Sequence, residues 1–140
     1  MKKILLPVDG SEACLKSYAI ARDFAQKFEA EITVVNIQQR DLYFSPYDGT
    51  NLQARSEDFM AVGNQIVEKA KEFFRDSGVK ILCRVEFGNP AKKIIEIAES
   101  EDFDMIIMCT HGMSAVKRFT LGSVTNKVVH HAKKPVLVVR

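Results

Sequence analysis

The sequence predicts an α/β protein: a doubly wound, five-stranded parallel sheet with helices on both faces. Three observations lead there. Short apolar runs rich in β-branched residues recur along the chain. Between them lie longer stretches with apolar residues three and four apart, and turn residues separate one kind of segment from the other. Apolar strands without polar alternation are buried on both faces, which parallel sheets covered by helices provide. Crossovers in such a sheet are right-handed.

The first run, Ile4-Leu5-Leu6-Pro7-Val8, stops at Asp9-Gly10-Ser11. It is a strand ended by turn residues. Ser11 and Glu12 open a helix with Ala13, Tyr18, Ala21, Phe24, Ala25 and Phe28 as its apolar stripe. Glu31 to Ile37 is rich in β-branched residues and forms the second strand. From Gln38 to Thr50 periodicity is lost; Pro46, Asp48-Gly49 and the aromatics Tyr43, Phe44 and Tyr47 mark a long loop of the functional or mobile kind. A helix over Leu52 to Asp76 turns Phe59, Val62, Ile66, Ala70 and Phe73 to one side, and Gly78 suits a left-handed cap after it. Val79 to Phe87 is the third strand. Gly88-Asn89-Pro90 stops it, with Asn89 as N-cap and Pro90 as first residue of a helix carrying Ile94, Ile95, Ile97 and Ala98. Phe103 to Met108 is the fourth strand, Ser123 to His131 a helix, and Pro135 to Val139 the fifth strand.

The chain has 140 residues, 46% apolar and 27% charged, which suits one folded domain without linker, repeat or low-complexity segment. A net charge of +2, from 20 basic and 18 acidic residues, leaves no footprint for nucleic acid. The apolar runs are far too short for a membrane span or a signal peptide, so the expected location is the cytoplasm. Three cysteines, Cys14, Cys83 and Cys109, without short spacing fit neither a disulfide framework nor a zinc site; they read first as small buried hydrophobes.

In a doubly wound sheet, ligands bind beyond the carboxyl ends of the strands where strand order reverses, here beside the first strand. The loops gathered there are Val8-Asp9-Gly10-Ser11, Asn36-Ile37-Gln38, and the stretch from Cys109 to Thr125. That stretch holds Gly112, Lys117, Arg118, Gly122-Ser123 and Thr125. Amides at a helix N-terminus bind anions, and the hydroxyls and cations add to them. The same residues also suit a tight turn at Gly112, a helix cap at Ser123 and solvated cations. Asp9 and Ser11 equally suit a cap on the first helix. His111 is spaced with no nucleophile in a catalytic pattern and reads as a loop histidine. His130-His131 suits a helix C-terminus, and neighbours on different faces make no metal site. Cys109 reads as packing at a strand end, with redox sensing as the alternative.

Taken together, the chain resembles the universal stress protein family. The resemblance rests on Pro7-Val8-Asp9-Gly10-Ser11, Gly88-Asn89-Pro90, Asp104-Met105-Ile106-Ile107-Met108, Gly122-Ser123-Val124 through Val128, and Lys133-Lys134-Pro135 through Val139. The family's ATP-binding branch carries G-x2-G-x9-G-[ST]; here the spacing is kept at Cys109, Gly112, Gly122 and Ser123, with Cys109 in place of the first glycine. The resemblance implies a Rossmann-like sheet of order 3-2-1-4-5, of the adenine nucleotide alpha-hydrolase type, as a single domain over residues 1–140. It implies a stress-response binding module for ATP, or ADP or AMP, accompanied by Mg2+ or Mn2+, with no catalytic residues and no protein metal ligands. Asp9 would face the adenosine, the Ile37 backbone would read adenine, and Gly112, Met113, Gly122, Ser123, Val124 and Thr125 would cradle the phosphates, with Ser114 beside them. The alternatives are a member acting only through its dimer surface, and a slow ATPase. A homodimer is expected through the fifth strand, an apolar border strand whose one charge is Arg140.

Overall fold

The structure is a computed structural model that describes residues 1–39, 52–110 and 121–140, with residues 52–56 described by their backbone alone. In chain order the elements are β1 (Lys3–Pro7), α1 (Leu15–Phe28), β2 (Glu31–Gln38), α2 (Leu52–Phe73), β3 (Ile81–Phe87), α3 (Pro90–Ser100), β4 (Met105–Cys109), α4 (Ser123–His131) and β5 (Val136–Val139). A 3-10 turn, Glu12–Cys14, leads into α1. The five strands make one parallel sheet in the order β3-β2-β1-β4-β5, as expected. The central strand, β1, pairs on one side with β2, Ile4 opposite Ile32, and on the other with β4, Ile4 opposite Met105.

Alternate residues of each strand enter two separate cores, as the period-two pleat requires. Ile4, Leu6, Ile32, Val34 and Ile107 pack with Tyr18, Ala21 and Ala25 of α1 and Val67 and Ala70 of α2. Leu5, Val35, Ile106 and Met108 pack with Ala91, Ile94, Ile97 and Ala98 of α3 and Val128 of α4. Helices therefore cover both faces, which is why the central strands β1 and β4 are almost wholly apolar, while β3 at the border carries Arg84 and Glu86.

Two apolar stripes are phased differently from expectation. Over the 3-10 turn and α1, Ala13 and Phe28 are exposed and Cys14 and Ser17 take inner positions. On α2 the buried line is Gly63, Val67 and Ala70, continued by Phe74 just past its end, while Val62 and Phe73 are exposed. Gly63 fits the rotation: a Cβ there would stand 2.5 Å from Val85 Cγ1, so the helix approaches the sheet closely at a residue with no side chain. Phe73 instead packs its ring edge-on to Tyr18, centroids 5.6 Å apart.

The ends follow local chemistry. Asn89 Oδ1 accepts from Lys92 N at 3.1 Å, capping α3 with Pro90 as its first residue. α2 ends at Phe73, ahead of the expected Asp76, and Gly78 takes a φ of 71° in the turn that follows. β3 begins at Ile81, two residues after the expected Val79. The N-cap of α4 is Gly122, not Ser123, which is the first helical residue. Before β4, Asp104 Oδ2 accepts from Lys2 N at 2.6 Å and Lys3 N at 2.9 Å. His130 and His131 occupy the last turn of α4. Among the described residues no helix is long and apolar enough to cross a membrane.

Candidate functional site

At the carboxyl end of the sheet a cavity of about 470 Å³ opens beside β1. β1 borders both β2 and β4 while their connections leave in opposite directions, so the loops splay apart at this point. Of the expected site residues, Asp9, Ile37, Gly122, Ser123, Val124 and Thr125 all line the cavity. Gly112 and Met113 lie outside the described residues, as do His111, Ser114, Lys117 and Arg118 and the aromatics Tyr43, Phe44 and Tyr47.

Asp9 follows β1 directly. Its Oδ1 accepts from Ser11 N at 3.0 Å and from the Cys14 thiol at 3.2 Å. The carboxylate thus braces the turn into the 3-10 segment, and Ser11, its N-cap, makes no side-chain cap bond. Gly10 holds a φ of 82°, with Ile66 of α2 so near that a Cβ would meet Cγ1 at 3.1 Å. Among the described residues of the site, this turn requires glycine on both grounds.

Across the cavity stands the first turn of α4. Gly122 N donates to Thr110 O at 2.7 Å, and the helix ladder begins with Asn126 N donating to Gly122 O at 2.8 Å. The N–H groups of Ser123, Val124 and Thr125 precede that first ladder bond and have no acceptor within the helix. The Thr125 hydroxyl is turned away from this role: buried, it donates to Cys109 O at 2.9 Å and ties α4 to the end of β4.

Between these poles the wall is apolar. Val35 and Ile37 of β2, Met108 of β4, and Pro90 and Ile94 of α3 line it. The α3 residues were not anticipated, because their place over the switch point depends on which strand neighbours which. Asn36 was also missed as a side chain with a role. It is 3% exposed, donates from Nδ2 to Val8 O at 2.8 Å, and accepts at Oδ1 from Gln38 Nε2 at 2.7 Å. With Val8 N donating to Val35 O at 2.9 Å, both backbone groups of the residue before Asp9 are fixed by β2. A polar residue in a β-branched run is the signal that would have found it, since buried amides need partners.

Cys109 ends β4 with its side chain on the α1 side of the sheet. Its Sγ lies 2.8 Å from Cys14 Sγ. That contact and burial push the Cys14 thiol far above its ordinary pKa, keeping it protonated. Burial does the same to the Tyr18 phenol nearby. Among the described residues no group of three His, Cys, Asp or Glu could hold a metal ion.

The family model described as "Universal stress protein family" matches residues 1–140. The chain belongs to the universal stress protein family. A universal stress protein of Methanocaldococcus jannaschii is 34% identical over 143 residues, spanning 99% of this chain and 82% of that one. Among solved structures, the protein MJ0577 superposes with a TM-score of 0.76 at 30% identity, covering 99% of this chain and 94% of its own. A universal stress protein from Archaeoglobus fulgidus in complex with dAMP has the same fold, with a TM-score of 0.72 at 21% identity over 100% of this chain and 98% of its own. Another in complex with cAMP has a TM-score of 0.75 at 21% identity, covering 99% of this chain and 96% of its own.

Proposed function

We propose that this universal stress protein binds an adenine nucleotide in the cavity beside β1 and acts as a binding module whose occupancy is regulatory. One observation carries the reading: the cavity joins an apolar slot to the open N-terminus of a helix. A planar base fits between the faces of Val35, Ile37, Pro90 and Ile94, and a phosphate fits the amides of Ser123 and Val124. The volume falls within the usual range for small-ligand sites of roughly 300 to 1,000 Å³. The dAMP and cAMP complexes of proteins with this fold support the choice of adenine.

In this reading Asp9, held by Ser11 N, faces the ribose, and the Ile37 backbone meets the adenine edge. Gly112, Met113 and Gly122 complete the phosphate turn. Thr125 serves by positioning α4, since its hydroxyl proton is already engaged. Cys109 lines the cavity, but its thiol lies back against Cys14 Sγ in the wall and leaves the space between α4 and β2 open. Mg2+ or Mn2+ would be carried chiefly by the phosphates and water, as such hard cations are with few protein ligands.

Calorimetric titration of ATP, ADP, AMP and GTP, with and without magnesium, tests the reading. Gly122 has φ −57° and ψ 153°, which any residue adopts, so Gly122→Val leaves the backbone unstrained and crowds the phosphate. Expected is adenine-nucleotide binding that Gly122→Val reduces at least about tenfold, the equivalent of ~1.4 kcal/mol. Equal ATP affinity in the two proteins, or preference for GTP, overturns it.

A second proposal concerns assembly. β5 is a border strand of four half-buried apolar residues. Such an edge favours pairing with a second copy about a two-fold axis, giving a homodimer. A member acting through that surface alone is the reading left if no nucleotide binds.

A further inference from the structure

We propose that Cys14 and Cys109 form an oxidisable dithiol that hydrogen peroxide converts reversibly to an intramolecular disulfide on the wall of the cavity. The sulfurs are 2.8 Å apart in the thiol state, although 95 positions separate the residues in sequence. A covalent S–S bond is about 2.05 Å long, so closing it takes a shift of less than an ångström. The two backbones are held ready for it. Cys109 is fixed as the last residue of β4, with its carbonyl accepting from Thr125. Cys14 is fixed at the end of the 3-10 turn, where its carbonyl accepts from Ser17 Oγ at 2.6 Å.

Both residues line the cavity, which gives a molecule as small as hydrogen peroxide a route to sulfurs that are otherwise buried. Cys109 is the more accessible at 8% exposure against 1% for Cys14, so it reacts first. Its thiol loses a proton to water, and the thiolate attacks the peroxide. The O–O bond breaks, one oxygen stays on sulfur as the sulfenic acid, and the other leaves as hydroxide, which takes up the proton as water. Cys14 Sγ then attacks the Cys109 sulfur. The S–S bond forms, the S–OH bond breaks, and the departing hydroxide takes up the Cys14 proton as a second water. Two thiols are oxidised and one peroxide is reduced to two waters.

The groups around Cys14 suit the second step. Asp9 Oδ1, at 3.2 Å, accepts the Cys14 S–H and can relay its proton to the leaving hydroxide; Ser11 Oγ, at 3.4 Å, can donate to the sulfur as charge develops. The Cys109 contact and burial keep Cys14 protonated, so it is the poorer first nucleophile toward peroxide, and its attack depends on the short distance to the Cys109 sulfur. Oxidation also removes the S–H donor from Asp9, so the state of the pair is written into the hydrogen bonding of a cavity-wall carboxylate. The third cysteine, Cys83, sits on β3 with its thiol directed at Val67 O, 3.6 Å away, and serves as an internal control.

The test treats the full chain with hydrogen peroxide, quenches with acid, and alkylates under denaturing conditions. Expected is a protein two hydrogens lighter with Cys83 alone alkylated, a Cys14–Cys109 cross-linked peptide on proteolysis, and return of all three alkylations after dithiothreitol. Cys83→Ser keeps the cross-link. In Cys14→Ser the Cys109 sulfenic acid persists and is trapped by dimedone. Cys14 and Cys109 both alkylated under peroxide that oxidises Cys83, a cross-link that includes Cys83, or conversion of Cys109 to its sulfinic acid without a cross-link would each overturn the proposal. Dimedone capture at Cys14 in Cys109→Ser, with none at Cys109 in Cys14→Ser, would overturn the assigned order of attack.

Discussion

Replacing Gly63 by alanine sets two known effects against each other. In an exposed helix the change is stabilising by about 1 kcal/mol, because glycine is the poorer helix former. Here the new methyl would stand 2.5 Å from Val85 Cγ1, 3.0 Å from Val85 Cγ2 and 3.0 Å from Asn36 Oδ1. Carbon atoms in contact prefer roughly 3.5–4.0 Å, so the first of these is deep in the repulsive wall. Val85 cannot easily turn aside: it is β-branched, and its strand is laddered to β2 with Val85 opposite Asn36. Overpacking of this kind costs about 1–3 kcal/mol, and a stiff neighbour puts this site in the upper half. The net expectation is a loss of ~1–2 kcal/mol, a fall in Tm of roughly 3–8 °C for a chain of this size. Urea unfolding followed by circular dichroism measures it. In a Val85→Ala background both valine contacts are gone and only Asn36 Oδ1 at 3.0 Å remains, so Gly63→Ala costs clearly less there than in the unaltered chain. Gly63→Ala raising stability by ~1 kcal/mol in the unaltered chain would refute the close approach of α2, and with it the account of why α2 is rotated.

Two further outcomes follow from other contacts. The Lys2 and Lys3 amides hold the Asp104 carboxyl below its ordinary pKa. A carboxylate lowered on folding adds stability above its unfolded pKa, and that contribution disappears as pH falls through the folded one. Asp104→Asn therefore loses stability at neutral pH and unfolds with a shallower acid dependence below about pH 4; an unchanged acid profile contradicts the contact. Along β5 and the residue before it, the Val139 and Pro135 carbonyls accept from Thr110 N and Ile106 N, which by alternation turns the Val138 amide to the open edge. Val138→Pro is thus expected to leave the sheet's own ladder intact while converting a dimer to a monomer in analytical ultracentrifugation; a monomeric parent chain, or a variant that dimerises as well as the parent, rejects the β5 interface.

Strand order and the location of the cavity were legible because they depend on few signals. Asp9-Gly10-Ser11 and Gly88-Asn89-Pro90 punctuate the chain sharply, and a parallel sheet with its switch point at β1 leaves few places for a ligand. The phase of α2 was not legible: Gly63 carries no hydrophobic weight, yet it is a point of close approach, so counting large apolar residues favours Val62 and Phe73 wrongly. Asn36 escaped attention because its value lies in one cross-strand bond to Val8 O, which the pattern of β2 does not encode. The Ser123 hydroxyl as a cap was the common expectation for that residue type, but Gly122 already occupies the N-cap position. The meeting of Cys14 with Cys109 is a matter of tertiary distance alone.

The placement of β1 at the middle of the sheet also bears on synthesis. Its first neighbour, β2, follows it closely in the chain, but its second, β4, brings Met105 opposite Ile4 only after most of the polypeptide has been made. Translation at about 5–20 residues per second puts seconds between β2 and β4, and any β1-β2 pairing formed in that interval has Ile4, Leu5 and Leu6 on an unpaired edge. A nascent chain stalled before residue 105 displays a ready template for pairing with another copy of itself. The emerging β4 covers that edge, so the order of synthesis leaves the middle of the finished sheet as its last border to close.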